Sequence, residues 1–130
     1  MWRSVLGFIA GYLVLGLLIS CSDFAFSFEI PHFNDGQKRP DYYYLTSIVT
    51  DALFSVVGGW ICALIARIHA RLSILFLIAF GELAGLAATI WNWGVAPHYF
   101  SYALLILYPP AIWFGGQLRM RGLLNRAAAA

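Results

Sequence analysis

The sequence predicts an all-α fold, a bundle of four transmembrane helices with the N and C termini both cytoplasmic. Three observations predict it. Four long apolar stretches follow one another with almost no charge inside them. The segments between them carry Arg, Pro, Gly and aromatic residues. Finally, the basic residues gather on one side of the topology these stretches imply.

In order, the spans are expected at about 5–22, 42–66, 72–93 and 98–118, with an outer loop at 23–41, all in one membrane domain. A helix rising about 1.5 Å per residue needs roughly 20 apolar residues to cross a hydrocarbon core about 30 Å thick. Lipid offers the backbone no hydrogen bonds, so a span is a helix or part of a closed barrel. The alternation a barrel strand requires is absent. Composition agrees: the 130 residues are 62% hydrophobic and 11% charged, against roughly a quarter charged in soluble domains.

The first span carries Gly7 and Gly11 in a GxxxG step, which predicts close helix packing. Leu18-Ile19-Ser20-Cys21 resembles the bacterial lipoprotein processing signal, against the plainer reading of a transmembrane helix that contains a Cys. In the outer loop, Phe24, Phe26, Phe28 and Ile30 alternate with smaller or polar residues. They predict either a short extended piece or the frayed end of the first helix. Pro31, Asp35-Gly36 and Pro40 then break the helix. Tyr42-Tyr43-Tyr44 anchors the second span at the outer headgroups, and Trp91 and Trp93 do the same for the third.

The second and third spans form a hairpin through Arg67-Ile68-His69-Ala70-Arg71, a basic turn that stays in the cytoplasm. On this topology Arg3, Arg67, Arg71, Arg119, Arg121 and Arg126 are inside, and Lys38 and Arg39 are outside. The fourth span holds Pro109-Pro110, expected to bend it, and Gly115-Gly116, expected to loosen its inner end. Ala127 to Ala130 reads as a tail.

Each hairpin arm holds one acid, Asp51 and Glu82. Asp51 lies roughly 13–14 Å below Tyr42, and Glu82 roughly 16–17 Å below Trp93, so both fall near the midplane. Ser47, Asp51, Ser55, Gly58 and Cys62 share one helix face by steps of three and four. Glu82, Gly85, Thr89 and Asn92 share another, and Gly81 with Gly85 repeats the GxxxG step. These faces are expected to turn inward. A charge at the bilayer centre costs from roughly 3 to over 10 kcal/mol, so such acids face protein or water and suggest function. Two uses compete. One is a proton- or cation-coupled transport site. The other is a clasp in which the acids hydrogen-bond to Ser47, Ser55, Thr89 or a partner, worth about 0.6–2 kcal/mol.

Other chemistry finds no support. Cys21 and Cys62 lie too far apart along their helices to bridge. His32 and His98, both outside, lack metal-site spacing, and no metal or cofactor is expected. GxSxG, HExxH and P-loop patterns are missing, so no enzyme is expected. The basic residues read as topology anchors, which argues against nucleic-acid binding.

The size and four expected spans are similar to those of the small multidrug resistance transporters. Those are built around a Glu in the first helix, where this chain has no acid. Gly58-Gly59-Trp60, Ala63-Leu64-Ile65-Ala66-Arg67, Trp91, Pro97-His98-Tyr99 and Gly115-Gly116-Gln117-Leu118-Arg119 resemble a group of small bacterial inner-membrane proteins of this length. That resemblance spans residues 55–120 and implies topology and bacterial origin, but no activity. The expected function is therefore a multi-pass membrane protein without enzymatic activity, an accessory or oligomerising subunit in contact with lipid. The alternative is a proton-coupled carrier of a small solute that uses Asp51 and Glu82.

Overall fold

A computed structural model describes residues 1–31 and 39–129. The readings placed on His32, Asp35-Gly36 and Lys38 lie outside the described residues. Among the described residues the chain is all-helical. Helix α1 spans Trp2–Glu29, α2 spans Asp41–Ala66, a 3-10 turn spans Arg67–His69, α3 spans Ala70–Trp91 and α4 spans His98–Ala129.

Two helical stretches are long and apolar enough to cross a membrane. They are Trp2–Glu29, with mean hydropathy 2.2, and the continuous run Asp41–Trp91, with mean hydropathy 2.0. Laid straight, a helix as long as the second stretch would exceed about 75 Å. It instead doubles back at Arg67, where the backbone turns to φ 50° and ψ −106°. Arg67 is the one non-glycine residue with positive φ among those described. Its N–H donates to the Ala63 carbonyl, tying off the last turn of α2.

The contacts give the helix directions. Gly7 lies against Cys62 and Ala66, while Gly11 meets Gly58 and Cys62, so α1 and α2 are antiparallel. Ser73 of α3 donates its hydroxyl to the Ser4 carbonyl at 3.0 Å, and Phe80 packs edge-on to both Phe8 and Tyr12, so α1 and α3 run parallel. Tyr44 packs on Phe100 and Arg119 lies over Trp60, so α4 runs parallel to α2, and Gly59 against Ile112 and Gly115 against Val56 mark where the two cross. Both chain ends therefore lie at the same end of the bundle as the Arg67 turn.

Small residues permit these close approaches. Gly7, Gly11, Gly58, Gly81 and Gly85 each face a neighbouring helix at short range. Gly59 and Gly115, not singled out from the sequence, make the tightest backbone crossing. A Cβ on either would strike the opposite main chain. Gly115 and Gly116 thus bind α4 to its neighbours rather than loosening it, because the missing side chains are what allow α2 and α3 to approach.

Two further expectations are corrected. The segment from Asp23 to Glu29, assigned to the outer loop as an extended piece or the end of the first helix, is not extended but continues α1 as helix. Ile30 caps it, with its N–H on the Phe26 carbonyl, and packs on Tyr43 and Tyr44. Helix α4 does not stop near Leu118 but runs to Ala129, and the supposed tail from Ala127 to Ala129 is helical. It also passes through Pro109 and Pro110 as one element. The prolines remove the helical donors for the carbonyls four residues upstream without ending the helix.

The core is in two parts. Leu15, Cys62, Ala66, Ile74, Leu77 and Ile112 centre the larger cluster, in the half nearest the Arg67 turn. Ile30, Tyr43 and Tyr44 form the smaller one at the opposite end, with Phe26, Ala96 and Phe100 against it. Between the two clusters the packing opens.

Candidate ligand-binding cavity

The opening follows from where α3 stops packing. Its buried residues are Ala70, Ser73, Ile74 and Leu77, all in its first half. Beyond Leu77 it is held chiefly by α4, through Tyr108 over Gly81 and Leu105 against Gly85. The Tyr108 hydroxyl donates to the Leu77 carbonyl at 3.2 Å, marking the level at which the bundle loosens. On α1 the matching position is Gly16, where a Cβ would meet nothing within 4 Å.

The result is a cavity of about 500 Å³ bounded by all of α1 to α4. Asp51 and Ser55 line it from α2, and Gly81, Glu82, Gly85, Thr89 and Asn92 line it from α3. Tyr12, Tyr44, Phe100 and Tyr108 contribute aromatic rings. Its length runs from the level of Tyr108 and Ser55 to Arg39, Asn92 and Val95 at the far end, where Asn92 and Val95 are exposed.

Both acids expected to matter thus stand in walls of one cavity, each half-buried. The α2 stripe faces inward as expected, with Ser47, Ser55, Gly58 and Cys62 buried beside Asp51. On α3, Glu82, Gly85 and Thr89 are half-buried, and Asn92 is exposed at the mouth.

Among the described residues the expected clasp does not form. Ser55 donates to the Asp51 main-chain carbonyl at 2.7 Å, Thr89 to the Gly85 carbonyl at 2.8 Å and Asn92 to the Ala88 carbonyl at 3.0 Å. The Ser47 carbonyl accepts from Thr50 at 3.2 Å. Ser55, Thr89 and Asn92 thus satisfy themselves on carbonyls of the preceding turn and are not spent on the acids. Among the described residues neither carboxylate accepts a side-chain hydrogen bond, and Glu82 Oε1 is buried with no partner. A buried acceptor without a donor costs about 1–3 kcal/mol or more if charged.

Three lining residues escaped the sequence reading. Tyr12 and Tyr108 sit mid-helix, where a tyrosine hydroxyl in an apolar span was the available signal. Arg39 was counted only as an outside charge. In the structure it lines the mouth, with Nη1 donating to the Tyr43 hydroxyl at 2.9 Å and its guanidinium 4.9 Å from the centre of the Tyr43 ring. Tyr43 in turn donates to Asp23 Oδ1 at 2.8 Å, so this latch joins the ends of α1 and α2.

Cys21 is exposed and Cys62 buried, both as free thiols. Among the described residues no group of three His, Cys, Asp or Glu side chains is placed to hold a metal ion. His98 stacks on Trp93, ring centres 4.1 Å apart. Comparisons with protein-family models, curated proteins and solved structures each found no match.

Proposed function

We propose that the chain is a multi-pass protein of the bacterial inner (plasma) membrane in which α1, α2, α3 and α4 all span the bilayer. In this reading the termini and the Arg67 turn face the cytoplasm and the Arg39 mouth faces outward. The cavity binds a small solute, and Asp51 and Glu82 exchange a proton or cation as the solute binds. No covalent chemistry is assigned to it.

The observation that carries this reading is the shared cavity. Asp51 and Glu82 open on one space that reaches an end of the bundle, and among the described residues neither carboxylate is used up in side-chain bonds. Acids held inside a membrane and facing a cavity mark ion or substrate pathways. The segregation of charge supports the orientation. Arg3, Arg67, Arg71, Arg119, Arg121 and Arg126 all lie toward the Arg67 end, as the positive-inside bias requires.

A second reading is the accessory or oligomerising subunit. What favours it is the half of α3 beyond Leu77, which leaves Leu83, Leu86 and Ile90 exposed for a partner helix or lipid.

One set of measurements separates the two. The protein is reconstituted into liposomes holding a pH-sensitive dye, the outside is acidified with small cationic, neutral and anionic organic solutes added in turn, and internal acidification is followed. The transport reading expects proton entry that falls to the level of empty liposomes in Asp51→Asn/Glu82→Gln. Entry that is absent in the wild type, or unchanged in the double variant, sinks it. Native mass measurement from gentle detergent reads the alternative directly, as a bound partner or a second copy.

A further inference from the structure

We infer that the cavity is a site for a small amphipathic organic cation, a singly charged ammonium with an apolar body. The inference deepens the solute-binding reading and rests on it for the cavity's access to water.

Charge comes first. Asp51 and Glu82 line the inner part, where no Lys or Arg lines the wall among the described residues. Among the described residues the one cation in the lining, Arg39, is at the mouth and is engaged by Tyr43. An anionic ligand would meet two acids at depth with no cation beside them. A cation supplies the opposite charge that is missing there, beside the orphaned Glu82 Oε1.

The walls then narrow the class. The remaining lining is largely apolar, including Leu15, Ile19, Leu104 and Leu105. Ring faces attract ammonium groups, most strongly where water is excluded, and Tyr12, Tyr44, Phe100 and Tyr108 place rings around the cavity. A hard divalent cation needs six or more oxygens. Here the Ser55 and Thr89 hydroxyls already serve backbone carbonyls, and the walls offer mainly carbon. A volume of about 500 Å³ falls within the roughly 300–1,000 Å³ of small-molecule sites. Access along the side is open as well. Gly16 on α1 and Ala84 and Ala88 on α3 line the cavity yet are exposed, so a ligand partitioned into lipid can enter between these helices.

The test is binding to the full chain in lipid nanodiscs by isothermal titration. Three probes are used: benzyltrimethylammonium, its uncharged carbon isostere neopentylbenzene, and the smaller anion benzoate. The cation is expected to bind at least about tenfold more tightly than either other probe. Asp51→Asn and Glu82→Gln are each expected to weaken it about tenfold. Leu83→Ala, on the exposed side of α3, is expected to leave it unchanged. Should the acid variants fail to fold, Gly16→Phe serves instead. It puts a ring into the open space beside Gly16 without touching either acid, and is expected to abolish binding.

Equal affinity for the uncharged isostere or for benzoate overturns the inference, as does unchanged affinity in the acid variants or in Gly16→Phe. Failure of the underlying transport reading looks different. Cation binding without proton movement leaves this inference standing and removes the coupling. Proton movement driven only by neutral or anionic solutes does the reverse.

Discussion

Tyr108 covers Gly81. Its ring and hydroxyl occupy the place a β-carbon at that position would need, and the hydroxyl donates to the Leu77 carbonyl. The pair sits at the boundary between the packed half of the bundle and the cavity, one residue from Glu82. Gly81→Ala is therefore expected to swing the tyrosine aside and break its bond to α3. The expected loss is about 1–3 kcal/mol, from one hydrogen bond plus overpacking. Unfolding in mixed micelles measures it. Tyr108→Phe removes the bond alone and should cost no more than about 1 kcal/mol. If the two variants are equally destabilised, the steric contact is not what matters.

The crossing of α2 and α4 makes a sharper demand. Gly115 faces the Val56 carbonyl and Gly59 faces the Ile112 main chain. Main chain cannot turn away as a side chain does, so Gly115→Ala must push two helices apart. It is expected to lower stability by about 2–3 kcal/mol, at the upper end for overpacking. Gly16→Ala is the control, since a β-carbon there meets nothing. It should be neutral or stabilising by up to about 1 kcal/mol, as alanine favours helix. Thermal unfolding of both variants in one detergent gives the comparison.

The latch at the cavity mouth predicts coupling. Asp23 accepts from Tyr43, and Tyr43 accepts from Arg39. Tyr43→Phe keeps the ring, with its edge-on contacts to Phe26 and Tyr44, and loses both hydroxyl bonds. The expected cost is about 1–3 kcal/mol, because both partners are charged groups. Asp23→Ala and Tyr43→Phe should be non-additive by about 0.5–1.5 kcal/mol in a double-mutant cycle. Additive losses would show that the hydroxyl and the carboxylate do not cooperate. Release of the latch should also speed labelling of a Cys placed at Ser101, a half-buried cavity residue, by a membrane-impermeant thiol reagent in a Cys21→Ser background.

Much of the architecture was legible because its causes are local. Apolar length marks each helix, and two arginines without an acid mark the Arg67 turn. Steps of three and four place Ser47, Asp51, Ser55, Gly58 and Cys62 on one face, and all five turn inward. Where local signals ended, the reading slipped. The alternation of Phe24, Phe26, Phe28 and Ile30 left an extended piece and the end of the first helix both open, and the contacts of Ile30 with Tyr43 and Tyr44 go with the helix. Gly115 and Gly116 looked like slack because a glycine's neighbour is invisible in one dimension.

The amino-acid order by itself determined that this chain is helical and apolar, and that it carries one carboxylate in each hairpin arm. Periodicity and hydropathy suffice for that, since they act through the backbone and the solvent. Only the tertiary structure decided that α3 parts from the bundle beyond Leu77 and that Asp51 and Glu82 then share a cavity with four aromatic rings. That depends on Gly59, Gly115 and Tyr108 meeting residues far away in the sequence, and whether a site is open or filled is set by such contacts between helices.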